Sequence, residues 1–192
     1  MTALVINLRP TIDLSDDEFY KFCQHNPDLR IERSATGALI VMPPTGGESG
    51  HRNADLTTDV GLWNRQTELG VVFDSSTVFK LPNSANRSPD VAWITSDRWN
   101  ALSLEQQKKF PPIAPDFVIE LRSETDTLSD LQEKMQEYMD NGVRLGWLID
   151  PQTKQVSLYR LGQPPETLQS PATLSGETVL PGFVLDLSRI FR

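Results

Sequence analysis

Cysteine is almost missing from this chain: Cys23 is the single copy among 192 residues. One thiol excludes an internal disulfide and a cysteine-built zinc site. Cys23 is expected to pack as a small apolar residue, as free cysteines usually do. Histidine is nearly as scarce. With only His25 and His51, a multi-histidine metal centre is excluded, and His51 reads as a surface or capping residue. Long apolar runs are missing too. The opening MTALVINLRP carries too short an apolar stretch for a signal peptide or a membrane span. A cytoplasmic protein that meets no membrane is therefore the expectation. Positive charge is in deficit: 18 Lys and Arg against 26 Asp and Glu give a net charge of −8 and a pI of about 4.8. That balance argues against a passive nucleic-acid coat, which neutralises phosphates with a basic surface. It leaves room for an enzyme that meets nucleic acid through a local basic rim and metal ions. Arg52, Arg65, Lys80, Arg87, Arg98, Lys108 and Lys109 are the candidates for such a rim.

What is present suits a folded domain, with 38% apolar and 23% charged residues. DLSDDEFYKFCQHNPD predicts a short helix, with Ser15 and Glu18 spaced for a capping box and Pro27 as its stop. LRIERSATGALIVMPP predicts a β-hairpin around Ala35-Thr36-Gly37. TGGESG reads as a flexible loop. HRNADLTTDVGLWNRQTEL then predicts an amphipathic helix with Leu56, Val60 and Trp63 on one face, closed by Gly70. VVFDSSTVFKLP, PDVAWIT and PDFVIELRS read as strands, and DRWNALSLEQQKKFPP as a short polar helix with a loop. TLSDLQEKMQEYMDNG predicts a helix whose apolar stripe is Leu128, Leu131, Met135, Tyr138 and Met139, with Gly142 just past its end. VRLGWLIDP and KQVSLYRL follow as a hairpin. The Pro-, Ser- and Thr-rich tail is expected along the surface, with GFVLDLSRIF docking back at its end. The order predicts an α/β fold with a mixed sheet, the long helix crossing between parallel strands. Trp93, Trp99 and Trp147 are expected as packing residues.

Two acidic residues stand out. Asp90 sits at the mouth of the apolar run VAWI, and Glu120 sits inside FVIELR. A carboxylate beside a buried apolar run is costly unless something neutralises it. Strand alternation puts Glu120 on the face of Val118, opposite Ile119 and Leu121. If the sheet brings both carboxylates together, a hard, oxygen-ligated cation such as Mg²⁺ is the natural neutraliser. Lys134 lies on the flank of the long helix's apolar stripe, so its stem can follow the core while its ammonium reaches the strand ends. There it could hold a nucleophilic water or stabilise charge on a phosphate; an ion pair with Asp130 is its bland alternative.

The stretches SPDVAWI, PDFVIELRSETDTLSDLQEKMQEYMDNGV and LGWLIDP, with the entry ALIVMPPTGGESGHRN, resemble the Uma-type family of restriction endonucleases. That family belongs to the PD-(D/E)XK nuclease superfamily, and the resemblance runs over roughly residues 15 to 190. It implies a restriction-endonuclease-like fold: a mixed central sheet flanked by helices, in one domain spanning 1–192. Residues 1–45 would form an N-terminal helix-and-hairpin extension, 46–160 the nuclease-like core, and 161–192 a tail packed on the core. It implies a metal-dependent endonuclease that hydrolyses DNA phosphodiester bonds with Mg²⁺ or Mn²⁺, acting as a homodimer. Asp90 and Glu120 take the places of the superfamily's metal-binding acids, and Glu48 matches a region that often supplies an extra acidic ligand. Arg122 occupies the usual lysine position, where arginine is a poor proton relay. Lys134 is then the residue that replaces that lysine. Two alternatives stand beside this one: a non-catalytic, dimeric binding or scaffold protein on the same fold, and a hydrolase of small phosphate esters.

Overall fold

A computed structural model describes residues 3–192. Helix α1 (Asp16–His25) opens with the expected capping box. The Ser15 hydroxyl accepts from the Glu18 N–H, and the Glu18 carboxylate accepts from the Ser15 N–H at 2.8 Å. The helix packs Phe19 onto a small sheet in the order β1 (Leu4–Ile6), β3 (Leu39–Met42), β2 (Arg30–Arg33), β6 (Asn86–Arg87), β5 (Phe79–Lys80). This sheet ties the N-terminal hairpin to strands near residue 80. Arg33 pairs with Asn86 in the ladder, and its guanidinium donates to the Asn86 side chain at 2.9 Å.

The second sheet has six strands in the order β11 (Glu166–Gln169), β10 (Gln155–Arg160), β9 (Leu145–Asp150), β8 (Phe117–Leu121), β7 (Val91–Thr95), β4 (Gly70–Asp74). Only β8 and β9 run parallel, and α5 (Leu128–Asp140) makes the crossover between them. Its two faces hold two cores, as strand alternation requires. One joins Val91, Trp93, Phe117, Ile119 and Trp147 to α2 (Gly47–Thr67) through Leu56, Val60 and Trp63. The other joins Ala92, Ile94, Val118 and Leu148 to α5 through Met135, Tyr138 and Met139. Trp63 meets Trp93, and Trp147 meets Phe117, edge to face at centroid distances of 5.5 and 4.8 Å. These tryptophans are core. Trp99 packs half-buried against Phe73. Cys23 is half-buried, and burial pushes its thiol up to about 11, which leaves it protonated at neutral pH.

Three local expectations differ from the structure. The glycine-rich TGGESG is not a loop: α2 begins at Gly47 behind the N-cap Gly46. Glycine is an acceptable N-cap, and Glu48 in the first turn suits the positive helix end. Gly70 does not close α2, because Glu68 takes the left-handed C-cap position with φ 54°. Gly70 is needed in β4 instead, where a Cβ would lie 2.2 Å from the Ile94 carbonyl oxygen and 2.5 Å from the Trp93 ring. Gly70→Ala should therefore cost about 3 kcal/mol through overpacking against backbone, measured by urea unfolding. A variant as stable as wild type contradicts the close approach.

The tail is not a surface run. Its β11 extends the main sheet, and the hairpin of β12 (Thr173–Ser175) and β13 (Val184–Asp186) follows. It buries Leu174, Leu180, Phe183, Leu185 and Ile190 in the α2-side core. Apolar side chains spaced between turn residues drive this, despite the polar composition. The polar stretch after β7 forms two short helices, α3 (Ser96–Asn100) and α4 (Leu104–Lys108). Among the described residues no helix is long and apolar enough to cross a membrane.

Candidate metal and nuclease site

The antiparallel register of β7 and β8 pairs Val91 with Ile119 and Ala92 with Val118. One residue further, the same register sets Asp90 against Glu120. Alternation sends Glu120 to the face of Val118, under α5. Both carboxylates therefore stand at the same sheet end and line a groove of about 1180 Å³, close enough for Asp90 to act on the charge of Glu120. Asp90 Oδ2 accepts the Leu121 N–H at 2.8 Å, and Oδ1 accepts from the Asn53 amide at 2.9 Å. Glu120 is 4% exposed.

Helix α5 brings the cation. Gly146 in β9 lets it come close, since a Cβ there would meet Met135 Cε at 2.5 Å. Lys134 Nζ lies 2.9 Å from Glu120 Oε1 and 2.9 Å from Glu32 Oε1. It does not pair with Asp130. One turn on, the Tyr138 hydroxyl donates to Glu120 Oε1 at 2.9 Å. Glu32, in β2, is 2% exposed and held on both oxygens. Oε1 also accepts the Ser88 N–H at 2.9 Å, and Oε2 meets Arg87 at 3.0 Å. Arg87 continues to Glu137 at 2.5 Å.

The charges follow from this packing. Burial pushes the Glu120 carboxyl up to about 7; Asp90 and Glu32 add to the rise and Lys134 opposes it. Burial raises Asp90 as well, against the Leu121 N–H and Lys134, which lower it. Burial works against ionised Glu32, but Lys134 and Arg87 outweigh it, so Glu32 stays charged below the usual range. Burial also works against charged Lys134, yet Glu120 and Glu32 prevail and raise it. Lys134 is thus a permanent cation rather than a proton acceptor. The sign for Glu120 is that of a raised carboxyl. Its contribution to stability is full below the unfolded value of 4.5 and is lost as pH rises through about 7. The loss is about 3 kcal/mol. The stability gain of Glu120→Gln over wild type should therefore grow between pH 5 and pH 8 in thermal melts. A gain that stays flat with pH contradicts a raised Glu120.

The other expected site residues lie differently. Arg122 donates to Asp150 at 2.7 Å and to the Asp126 carbonyl at 3.3 Å, away from Glu120. Strand β8 ends at Leu121, so alternation no longer fixes Arg122 beside Glu120. Glu48 lines the same groove but pairs with Arg52 at 2.6 Å, with its side chain 66% exposed, and does not cluster with Asp90 and Glu120. His51 is exposed, 3.8 Å from Asp55. Of the loop cations, Arg52 and Arg87 line the groove, together with Arg30 and Arg122. Arg52, Lys80, Arg87, Arg98 and Lys109 are each bound in ion pairs.

Among the described residues no three His, Cys, Asp or Glu side chains come together as a metal cluster. Two carboxylates do, however, and beside them the Asn53 Oδ1 is buried with no hydrogen-bond partner. Two acids, an orphaned amide oxygen and room for water fit Mg²⁺ or Mn²⁺, which keep several waters and take few protein ligands. Glu32, Asn53 and Tyr138 were not singled out by sequence as site residues, and Arg87 was named only as a rim cation. Tyr138 reads as part of an apolar stripe, and Glu32 as an ordinary hairpin acid. A charged residue between Ile31 and Arg33 was the one local hint.

The mixed six-stranded sheet with helices on both faces is a restriction-endonuclease-like fold, and the paired acids with a lysine stand at its strand ends. The family model Uma2, described as "Putative restriction endonuclease", matches residues 16–188, and the chain belongs to that family. The fold is similar to a crystal structure described as a putative nuclease belonging to DUF820 from Anabaena variabilis. That likeness has a TM-score of 0.76 at 19% identity, covering 93% of this chain and 97% of the other. No curated protein matches the chain.

Proposed function

We propose that the chain is a cytoplasmic, divalent-metal-dependent endonuclease acting on DNA. The observation that supports it most is the opposed pair Asp90 and Glu120, both raised by burial and set beside Lys134. Asp90, Glu120 and Asn53 Oδ1 would hold Mg²⁺ or Mn²⁺. Such an ion polarises a phosphate and makes a bound water more nucleophilic. The chain's own residues do the rest. Tyr138 fixes the Glu120 carboxylate by its Oε1. Lys134, permanently charged, stabilises negative charge that builds on a phosphate in the groove. It donates hydrogen bonds and does not remove a proton, so that proton goes to water. Arg30, from β2, lines the same groove and offers a contact to a phosphate backbone. Linearisation of plasmid DNA by wild type with Mg²⁺ or Mn²⁺, and none with EDTA, is the expected result. Cleavage that proceeds equally in EDTA contradicts it.

One observation favours a second reading. Lys134 by itself bridges Glu120 and Glu32, which partly neutralises the buried acids through the chain's own side chains. On that reading the chain is a non-catalytic, homodimeric binding or scaffold protein on a nuclease-like fold. No cleavage and no Mn²⁺ binding by calorimetry would favour it.

A further inference from the structure

Lys134 has two carboxylate partners at the same distance, 2.9 Å, and they differ in kind. Glu120 takes both Lys134 and Tyr138 on Oε1, so neither contact involves Oε2. Glu32 is engaged on both oxygens, by Lys134 and the Ser88 N–H on one and Arg87 on the other. Glu32 is therefore held by two cations, Lys134 and Arg87, whereas Glu120 meets only Lys134 and keeps Oε2 for a further cation. Glu32 is also fixed in place, because β2 is paired on both sides, with β3 and β6. An ammonium and a divalent cation on one carboxylate repel each other. A cation on Glu120 Oε2 weakens the hold of Lys134 on Oε1, and the Lys134 stem is too buried to reach solvent, with 12% of the side chain accessible.

We propose that Glu32 is a positioning residue: it is the counter-ion onto which Lys134 shifts when a divalent cation takes the Glu120 carboxylate. The N-terminal hairpin then belongs to the metal site, although none of its side chains is a ligand. This inference rests on the metal reading above. Outer partners of this type commonly change metal affinity by about 10- to 100-fold.

The test is Mn²⁺ titration calorimetry on full-length wild type, Glu32→Gln, Lys134→Met and the double variant, each checked for cooperative melting. Glu32→Gln keeps the size and an acceptor for the Ser88 N–H. It should weaken Mn²⁺ binding about tenfold, because Lys134 then competes for Glu120 alone. In the Lys134→Met background the same change should cost less than about threefold, since no ammonium needs to be held. If Glu32→Gln does not fold, Lys134→Met carries the test: removal of the competing ammonium should tighten Mn²⁺ binding several-fold. An unchanged affinity in either single variant overturns the exchange, as does a Glu32→Gln loss that persists undiminished without Lys134. Wild type that binds no Mn²⁺ overturns the metal reading and this inference together. Wild type that binds normally with an inert Glu32→Gln overturns the inference alone.

Discussion

Asp90→Ala and Glu120→Ala should each reduce metal-dependent DNA cleavage by about a thousandfold or more, comparable to removing a central electrostatic group from an active site. Each carboxylate is half of the only opposed acidic pair that the β7–β8 register creates beside Lys134. Loss of activity alone is ambiguous, because a collapsed fold gives the same result. Asp90→Asn separates the two explanations. Its amide oxygen can still accept the Leu121 N–H, and once the Asn53 amide, whose NH₂ now faces Asp90 Oδ1, turns over, the new NH₂ can donate to the Asn53 carbonyl oxygen that has no partner at present. Removing a carboxylate that burial disfavours, while satisfying that oxygen, should raise stability by about 1 kcal/mol. For a chain of this size that is a melting temperature higher by about 2–4 °C. The account therefore expects Asp90→Asn to be inactive and more stable. An active Asp90→Asn, tested on plasmid DNA with Mg²⁺, contradicts the assignment.

Glu32→Ala should be among the most destabilising single substitutions in the chain. It removes a carboxylate shared by two buried cations and deprives the Ser88 N–H of its acceptor. Breaking a buried ion pair from one side commonly costs about 3–5 kcal/mol, because the remaining charge is left without compensation. Here Lys134 keeps Glu120 and Arg87 keeps Glu137, so about 3 kcal/mol is expected from that range. Domains of this kind have about 5–15 kcal/mol in all. Guanidinium unfolding should show the midpoint drop with little change in slope. A midpoint equal to wild type means that the hairpin is not held by this network.

The sequence carried much of this design. Ser15 and Glu18 at three-residue spacing form the box that they predict. Glu120 and Lys134 could be placed by period-two and helical alternation, because each sits on a regular element whose apolar neighbours fix its face, while Asp90, one residue before β7, was placed by its position at the mouth of VAWI and by the family resemblance. Arg122 could not, because it lies just past the end of β8, where alternation stops and Asp150 is within reach. Glu48 was set at the site by the family resemblance; in α2's first turn it lines the same groove but pairs with Arg52. Glu32 was invisible for a different reason. Its role comes from β2 pairing with β6, residues more than fifty positions apart in sequence, and no local pattern encodes that pairing. GFVLDLSRIF docks back through Phe183 and Leu185 as expected, whereas strand β11 and the burial of Leu174 and Leu180 were hidden by the tail's Pro, Ser and Thr content.

The central claim is that Asp90 and Glu120 together hold a divalent cation. Crystals soaked in Mn²⁺ and measured at a wavelength where manganese scatters anomalously test it most directly. The account predicts one anomalous peak between the Asp90 and Glu120 carboxylates, within about 2.3 Å of an oxygen of each, consistent with hard-cation ligation. No peak there, or peaks only at exposed acids such as Glu48, would contradict it.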